Sequence, residues 1–400
     1  MTKQNAWTLA LVSVGLVSLP AVVWAEEQPS SIMTALASTT ISGYVDTSAQ
    51  WNIGTGNANA PPYAFGGPGK ADGFNLNVVD LALEKPVDTG EAWGAGYKVE
   101  LWFGPDADTL ATQSTGVAAD LAVKQAYVAL HTPVGNGLDF QIGVFDTIVG
   151  YEVANAVNNP NFTRSYGYTI EPVAHTGIRA AYQFSETLAA IAGIANTFGP
   201  QINQSANPPK AESYKTYMGS IVLTAPEDMG FLAGSTLSGG VVNGYNSGAS
   251  GGSGADQTSW FVGATLNTPM KGLKVGVAYD YAGVSSQPLS DSNYANAVAI
   301  YASYRATERL SLHVRGEYAT SDALTPAATP ILGSSKVVAL TGTIQYELWK
   351  NVMSRIEFRW DHSADGLNAY GGTPVAGSTD TVPPTLKNSY ILLANISYRF

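Results

Sequence analysis

NSYILLANISYRF, residues Asn388–Phe400, sorts its chemistry by position. Tyr390, Leu392, Ala394, Ile396, Tyr398 and Phe400 form one row, and Ser389, Asn395, Ser397 and Arg399 form the other. Ile391 and Leu393 interrupt the polar row. A period of two is the signature of a β-strand with two unlike faces. A strand cannot stand alone, and a bare edge invites aggregation. The rest of the chain must therefore supply partners for this strand and a solvent for its apolar face.

Composition narrows the solvent. The 400 residues carry a formal net charge of −11, 42 Gly, 21 Tyr and no Cys. Charged residues make up 13% of the chain, about half the usual share of soluble domains. Mean hydropathy is +0.02, too low for a bundle of membrane-spanning helices. A charge-poor, Gly- and Tyr-rich chain of neutral hydropathy fits a transmembrane β-barrel, in which apolar and polar positions alternate and cancel. Without Cys there are no disulfides, thiolate metal sites or Cys nucleophiles. The acidic balance argues against nucleic acid as a partner.

Lys3 precedes an apolar run from Ala6 to Val23, and Val23-Trp24-Ala25 precedes Glu26-Glu27. This reads as a secretory signal peptide over residues 1–25, cleaved after Ala25. An uncleaved anchor helix is the alternative; Gly15, Pro20 and the small residue before the acidic pair favour cleavage. Residues 26–38 are expected to be a periplasmic lead-in and residues 39–400 a barrel.

From Thr40 onward one grammar repeats. Alternating segments fall at Ile41–Trp51, Phe74–Leu83, Trp93–Phe103, Leu121–Leu130, Leu138–Val144, Ile178–Phe184, Leu188–Ile194 and Tyr217–Leu223. They continue at Phe231–Val241, Trp260–Leu266, Leu273–Tyr281, Val298–Tyr304, Leu310–Tyr318, Val338–Leu348 and Val352–Trp360, and end with Asn388–Phe400. A change of phase at Val78-Val79 indicates a bulge. Asn136-Gly137 is a strong hairpin signal. Tight turns alternate with long polar loops, among them the Gly/Ser-rich stretch Asn243–Gln257. That is the asymmetry of outer-membrane barrels, with short periplasmic turns and long external loops. The expected fold is all-β: a transmembrane antiparallel up-and-down barrel of about 16 strands, 14 to 18 being compatible with the shallow, Ala-rich alternation of Ala189–Leu223.

The apolar rows carry aromatics near strand ends, including Trp51, Trp93, Phe103, Phe184, Trp260, Tyr304, Tyr318 and Tyr398. Aromatic girdles at two lipid interfaces explain that placement. The opposite rows carry charges, which suit a water-filled lumen better than a dry core. A barrel of this width is too large to fill with wall side chains. Two soluble β-sandwich domains would leave the amino-terminal signal and the lack of an interdomain linker unexplained.

Ile396-Ser397-Tyr398-Arg399-Phe400 resembles the terminal strand of Gram-negative outer-membrane proteins, whose last Phe is read by the barrel assembly machinery. Thr40–Ser48, Lys124–Val128, Asn161–Tyr166 and His175-Thr176-Gly177 resemble the β-barrel porin-2, or OmpL-like, family over the chain from about Thr40. The resemblance implies an outer-membrane pore-former and names no substrate, cofactor or catalytic residue. Its implied partners are outer-membrane lipid, the assembly machinery through Phe400, small solutes and, by porin analogy alone, two further copies in a homotrimer.

Two groups of residues could carry function. The inward rows hold Lys98, Glu100, Arg179, Arg305, His313, Arg315, Glu317, Arg355, Glu357 and Arg359 as candidate pore-lining residues. Arginines concentrate toward the carboxy-terminus, also at Arg399, with Glu347 and Asp361 among them. They form either a basic wall that selects by charge or neighbouring pairs, such as Arg315–Glu317 and Arg355–Glu357, that only solvate the wall. The second group lies on Thr147–Pro172, in the place where a general porin folds its third external loop into the lumen. There Glu152, Asn159, Arg164, Tyr166 and Glu171 are candidate constriction residues, with Glu152 or Glu171 expected to face the basic wall.

Enzyme signatures are weak. His131, His175, His313 and His362 lack metal-ligand spacing. Gly248–Gly254 lacks the Lys-Ser/Thr ending of a phosphate loop. No catalytic residue, metal site or cofactor is expected. A porin for ions and small hydrophilic solutes and a closed, adhesive surface barrel both fit these strands; only the first conducts.

Overall fold

The computed structural model describes residues 38–400 except 55, 57, 63–69, 88–92, 110–119, 200–201, 203–204, 206–213, 247–254, 286–291, 322–334 and 374–381. The signal-peptide reading, nearly all of the lead-in and the Gly248–Gly254 run lie outside the described residues.

Sixteen strands form one closed antiparallel barrel in which each pairs with its sequence neighbours and the last pairs with the first. They are β1 (Thr40–Asn52), β2 (Gly73–Lys85), β3 (Gly94–Phe103), β4 (Leu121–Thr132), β5 (Leu138–Asp146), β6 (Ala174–Gln183), β7 (Leu188–Ala195) and β8 (Thr216–Thr224). The second half comprises β9 (Thr236–Asn246), β10 (Ala255–Asn267), β11 (Leu273–Ser285), β12 (Ser292–Arg305), β13 (Leu310–Ser321), β14 (Lys336–Trp349), β15 (Val352–Ser363) and β16 (Asn388–Arg399). Closure leaves no sheet edge, the condition for crossing hydrocarbon with strands. At the seam Tyr44 faces Arg399 and Asn52 faces Ile391. Phe400 adds two backbone hydrogen bonds to Gly43, of 3.0 and 3.1 Å.

Most strands run longer than hydrophobic alternation indicates. β12 begins at Ser292 rather than Val298, and β10 at Ala255 rather than Trp260. Their added ends carry no Val, Ile or Leu, so the ladder continues where the large-apolar alternation stops. β9 is displaced in the other direction: it begins at Thr236, not Phe231. Residues Glu227–Leu232 form a short 3-10 segment instead. Gly230 and Gly234 stand at φ of 59° and 75°, and an extended strand cannot pass through two left-handed residues. The phase change near Val78 is a bulge: Val78 pairs with Asp46 and Leu76 with Thr47, leaving Asn77 extra. Its side chain turns inward and bridges Ser48 and Asp46.

The outward rows are apolar and open to the surroundings, with Phe74 at 89%, Ile300 at 62% and Ile356 at 57% exposure. Lipid is the solvent that suits this surface. The inward rows are not uniformly polar. Phe145, Ile191, Met218, Val242 and Phe261 form an interior apolar cluster with Ile148 and Val149, which arrive from the loop after β5. That side of the lumen is packed and dry, a departure from the polar lumen that a charged inner row implies. Among the described residues two short α-helices accompany the strands: α1 (Pro105–Thr109) after β3, and α2 (Tyr166–Ile170) in the loop between β5 and β6.

Candidate functional site

The loop between β5 and β6 enters the lumen and is held by the far wall. Its backbone is the main thing recognised. On β15 and β14, Glu357 accepts the Phe162 and Thr163 N–H groups at 2.6 and 2.8 Å and the Thr343 hydroxyl at 2.6 Å. On β13, Glu317 accepts the Tyr166 N–H at 2.6 Å and Arg315 Nε at 2.8 Å. The wall arginines supply the opposite sense. Arg315 donates to the Thr163 carbonyl at 2.6 Å and Arg359 to the Arg164 carbonyl at 2.5 Å. Arg355 donates to the carbonyls of Ala156 and Asn159 at 3.0 and 3.3 Å and lies over the Phe162 ring. Arg399 donates to the Val157 carbonyl at 2.7 Å. An irregular segment inside a barrel must have its peptide groups satisfied, and alternating Arg and Glu on one wall can satisfy both kinds.

These side chains face inward, as alternation requires, but Arg315, Arg355, Arg359 and Glu357 are at most 1% exposed. The loop covers them, not water. Two of the arginines are ion-paired: Arg315 with Glu152 and Glu317, both at 2.8 Å, and Arg359 with Asp361 at 2.9 Å. Of the two loop carboxylates expected opposite the basic wall, Glu152 is there, and it also accepts the Ser165 N–H at 2.7 Å. Glu171 is not. It hydrogen-bonds Asp280 on β11. Burial, and then the neighbouring Asp280 carboxylate, push the Glu171 carboxyl well above its ordinary range.

The approach is close. A Cβ on Gly167 would fall 2.1 Å from Asp280 Oδ2, and one on Gly150, at φ +112°, would fall 2.2 Å from Glu171 Oε2. Glycine is required at Gly150, whose φ disfavours any side chain, while a side chain at Gly167 would force Asp280 to move. Asn159 staples the loop to itself, accepting the Val153 N–H at 2.9 Å and donating to its carbonyl at 2.6 Å. Arg164 donates to the carbonyls of Phe162 and, at 2.6 Å, Ala154. The Tyr166 hydroxyl donates to Asp361 at 2.8 Å.

The other candidate lining residues divide. Lys98 pairs with Glu100 at 3.0 Å, and Glu100 accepts Asn155 of the loop at 3.0 Å. Arg179 is buried against Gln141 and the Phe145 ring. Arg305 is exposed at the turn after β12, where it donates to the Glu308 carbonyl at 3.0 Å. His313 lies 2.8 Å from Ser303 Oγ and borders open space. That space is a cleft of about 340 Å³ between loop residues Val157–Pro160 and the inner wall of β10 to β14. Lys274, Ser303, His313 and Thr343 are successive cross-strand partners on that wall.

Three determinants of the seat escaped the sequence reading. Ala282, Ala295, Ala297, Ala319 and Ala339 line the wall on which Tyr166 and Ile170 of α2 pack. An inward row of alanines in place of polar residues is a legible sign that something else fills the space. Ile391 and Leu393, the exceptions in the last strand, pack on Phe162 and Ala156 of the loop. Lys274 stands alone on its strand end, with no motif to mark it.

A sixteen-stranded barrel with an apolar lipid face and a loop folded into the lumen is the architecture of a porin. The chain belongs to the BBP2 family, beta-barrel porin-2, OmpL-like, whose family model matches residues 38–400. Similar solved structures agree on the fold. An anion-selective porin from Comamonas acidovorans has a TM-score of 0.60 at 14% identity, over 91% of this chain and 99% of its own. OmpT, an outer membrane protein of Vibrio cholerae, has a TM-score of 0.56 at 14% identity, over 90% of this chain and 97% of its own. The outer membrane channel DcaP of Acinetobacter baumannii has a TM-score of 0.55 at 14% identity, over 90% and 97%. No curated protein matches the chain in sequence.

Proposed function

We propose that this outer-membrane barrel passes ions and small hydrophilic solutes by passive diffusion, along a path narrowed by the loop between β5 and β6. The observation that carries the reading is the cleft left between that loop and β10 to β14, with Lys274, Ser303, His313 and Gln345 in its lining. The loop is a constriction because its backbone is anchored on several strands at once and cannot drift with solvent. Export would use the amino-terminal signal with cleavage after Ala25, and assembly would use the strand ending in Phe400. Purified protein in a planar bilayer should give stepwise ionic current. Silence from protein whose gel migration changes on boiling, the sign of a closed barrel, would overturn the reading.

A closed surface barrel is the second reading, and one observation favours it. Asn59, in the loop after β1, donates to the Gly371 carbonyl at 2.8 Å, and Tyr370 lies 3.5 Å from Tyr166 on the inserted loop. External segments thereby meet the constriction from above. The same recording separates the two.

A further inference from the structure

We propose that the cleft beneath the inserted loop is a binding subsite for small organic monoanions, with Lys274 as the residue that holds the carboxylate. The proposal deepens the channel reading by naming a solute class.

Charge placement carries it. Among the described residues, Lys274 is the one formally charged side chain lining the cleft. It is exposed, and no hydrogen bond or ion pair joins it to another described residue. No carboxylate lines the cleft. Three nearby acids are committed elsewhere: Glu152 to Arg315 and the Ser165 N–H, Glu317 to Arg315 and the Tyr166 N–H, Glu357 to the Phe162 and Thr163 N–H groups; Glu347 accepts the Gln345 amide at 3.3 Å and stands outside the lining. The arginines beside them are equally spent on loop carbonyls. The wall's arginines and most of its carboxylates are thus engaged with one another and with the loop backbone, and Lys274 is the charged side chain that faces the open space.

Beside that cation the cleft offers hydroxyl and amide groups and one apolar side. Ser303 faces Lys274 across the ladder and is held by His313. Gln345 and Thr265 add polar groups, and Tyr151, stacked on Tyr301 at 4.3 Å, adds an aromatic edge. One cation in the lining suits one carboxylate; the next, Arg355, lies behind Asn159, donating to its carbonyl at 3.3 Å, and does not line the cleft. The volume of about 340 Å³ is at the lower end for small-molecule sites, which suits a compact body. Conduction demands that such a site bind weakly, so affinity should be on the order of millimolar.

The test uses the full barrel with sodium benzoate as probe and benzyl alcohol as its uncharged counterpart. Benzoate should reduce potassium chloride conductance where benzyl alcohol does not. K274Q should weaken that block about fivefold, the effect of one contact charge pair in water, and K274E should move the reversal potential toward cations. Equal block by both probes, or block unchanged in K274Q, overturns the subsite while leaving the channel reading intact. If folded protein carries no current the channel reading falls. Calorimetric titration of the detergent-folded barrel with benzoate then decides: heat that is lost in K274Q supports the subsite, and no heat in the wild type overturns it.

Discussion

Arg315 of β13 reaches Glu152 of the inserted loop at 2.8 Å, and neither side chain is exposed to solvent. The pair ties the loop's entry to the wall, and Glu317 completes the arginine's coordination from the same strand. Breaking a buried pair by removing one partner costs about 3–5 kcal/mol because the other charge is stranded. R315Q should therefore release the loop without opening the barrel. Limited proteolysis of folded protein should cut within residues 152–166 in R315Q and not in the wild type. Equal protection of both would refute the clamp.

Glu171 gives the loop a pH dependence. Its carboxyl is raised above the ordinary value of 4.5 by burial and by Asp280. A raised carboxyl binds its proton more tightly in the seated loop than in the freed one, so the Glu171 contribution to seating is full below about pH 4.5 and is lost as pH rises through the raised value. Single-channel current should become noisier from pH 5 to pH 9 in the wild type. E171Q, which keeps a donor toward Asp280 and cannot ionise, should hold a steady current across that range. Matching profiles would remove Glu171 from the account.

The alanine wall predicts a steric failure. Ala297 and Ala319 are buried under Tyr166 and Ile170. A leucine at either position must share space already taken by α2, and overpacking of that kind costs about 1–3 kcal/mol. The strand itself keeps its ladder, since β-sheet pairing does not depend on that side chain. A297L should fold and close, by gel migration, yet show higher conductance than the wild type. Unchanged conductance in the folded variant would show that the wall has slack.

The barrel was legible because lipid forces one face of every strand to be apolar, so alternation in Trp93–Phe103 or Asn388–Phe400 reports the fold directly. Strand ends were less legible, as at Ser292 and Ala255, because Val, Ile and Leu are absent there while the backbone ladder continues. The site was legible in part. The loop's place in the chain order and the concentration of Arg and Glu on β13 and β15 both pointed to it. Their bonding did not follow, since the partners of Arg315, Arg359 and Glu357 are largely loop backbone atoms, which no side-chain pattern encodes. The clearest unread signal was negative: Ile391, Leu393 and the inward alanines are wrong for a wet wall and right for a covered one.

Closure at the seam rests partly on the final residue. Phe400 exchanges two backbone hydrogen bonds with Gly43, and a Cβ on Gly43 would meet the Phe400 ring at 2.9 Å. Deleting Phe400 removes both bonds, worth about 1 kcal/mol each, together with the ring's lipid contact. Refolding into detergent should yield less of the heat-modifiable form; G43V should lower it further, because its Cβ would meet the Asp80 carbonyl of β2 as well as the ring. Full yield from both variants would confine any role of Phe400 to recognition by assembly factors.

Removing residues 153–164 tests the constriction as a whole. The deletion strips the loop carbonyls from Arg355 and the amides of Phe162 and Thr163 from Glu357. The exposed wall would then show Arg315, Arg355 and Arg359 against Glu152, Glu317, Glu357 and Asp361. Water can solvate both signs, so the barrel should still fold. Conductance should rise severalfold because the lumen of a sixteen-stranded barrel is wide once emptied. Anion preference should not rise with it, since the uncovered acids at least match the uncovered arginines. A folded deletion with unchanged conductance would place the narrowest point of the path elsewhere. A folded deletion that becomes strongly anion-selective would show that the arginines, and not Lys274, set the sign.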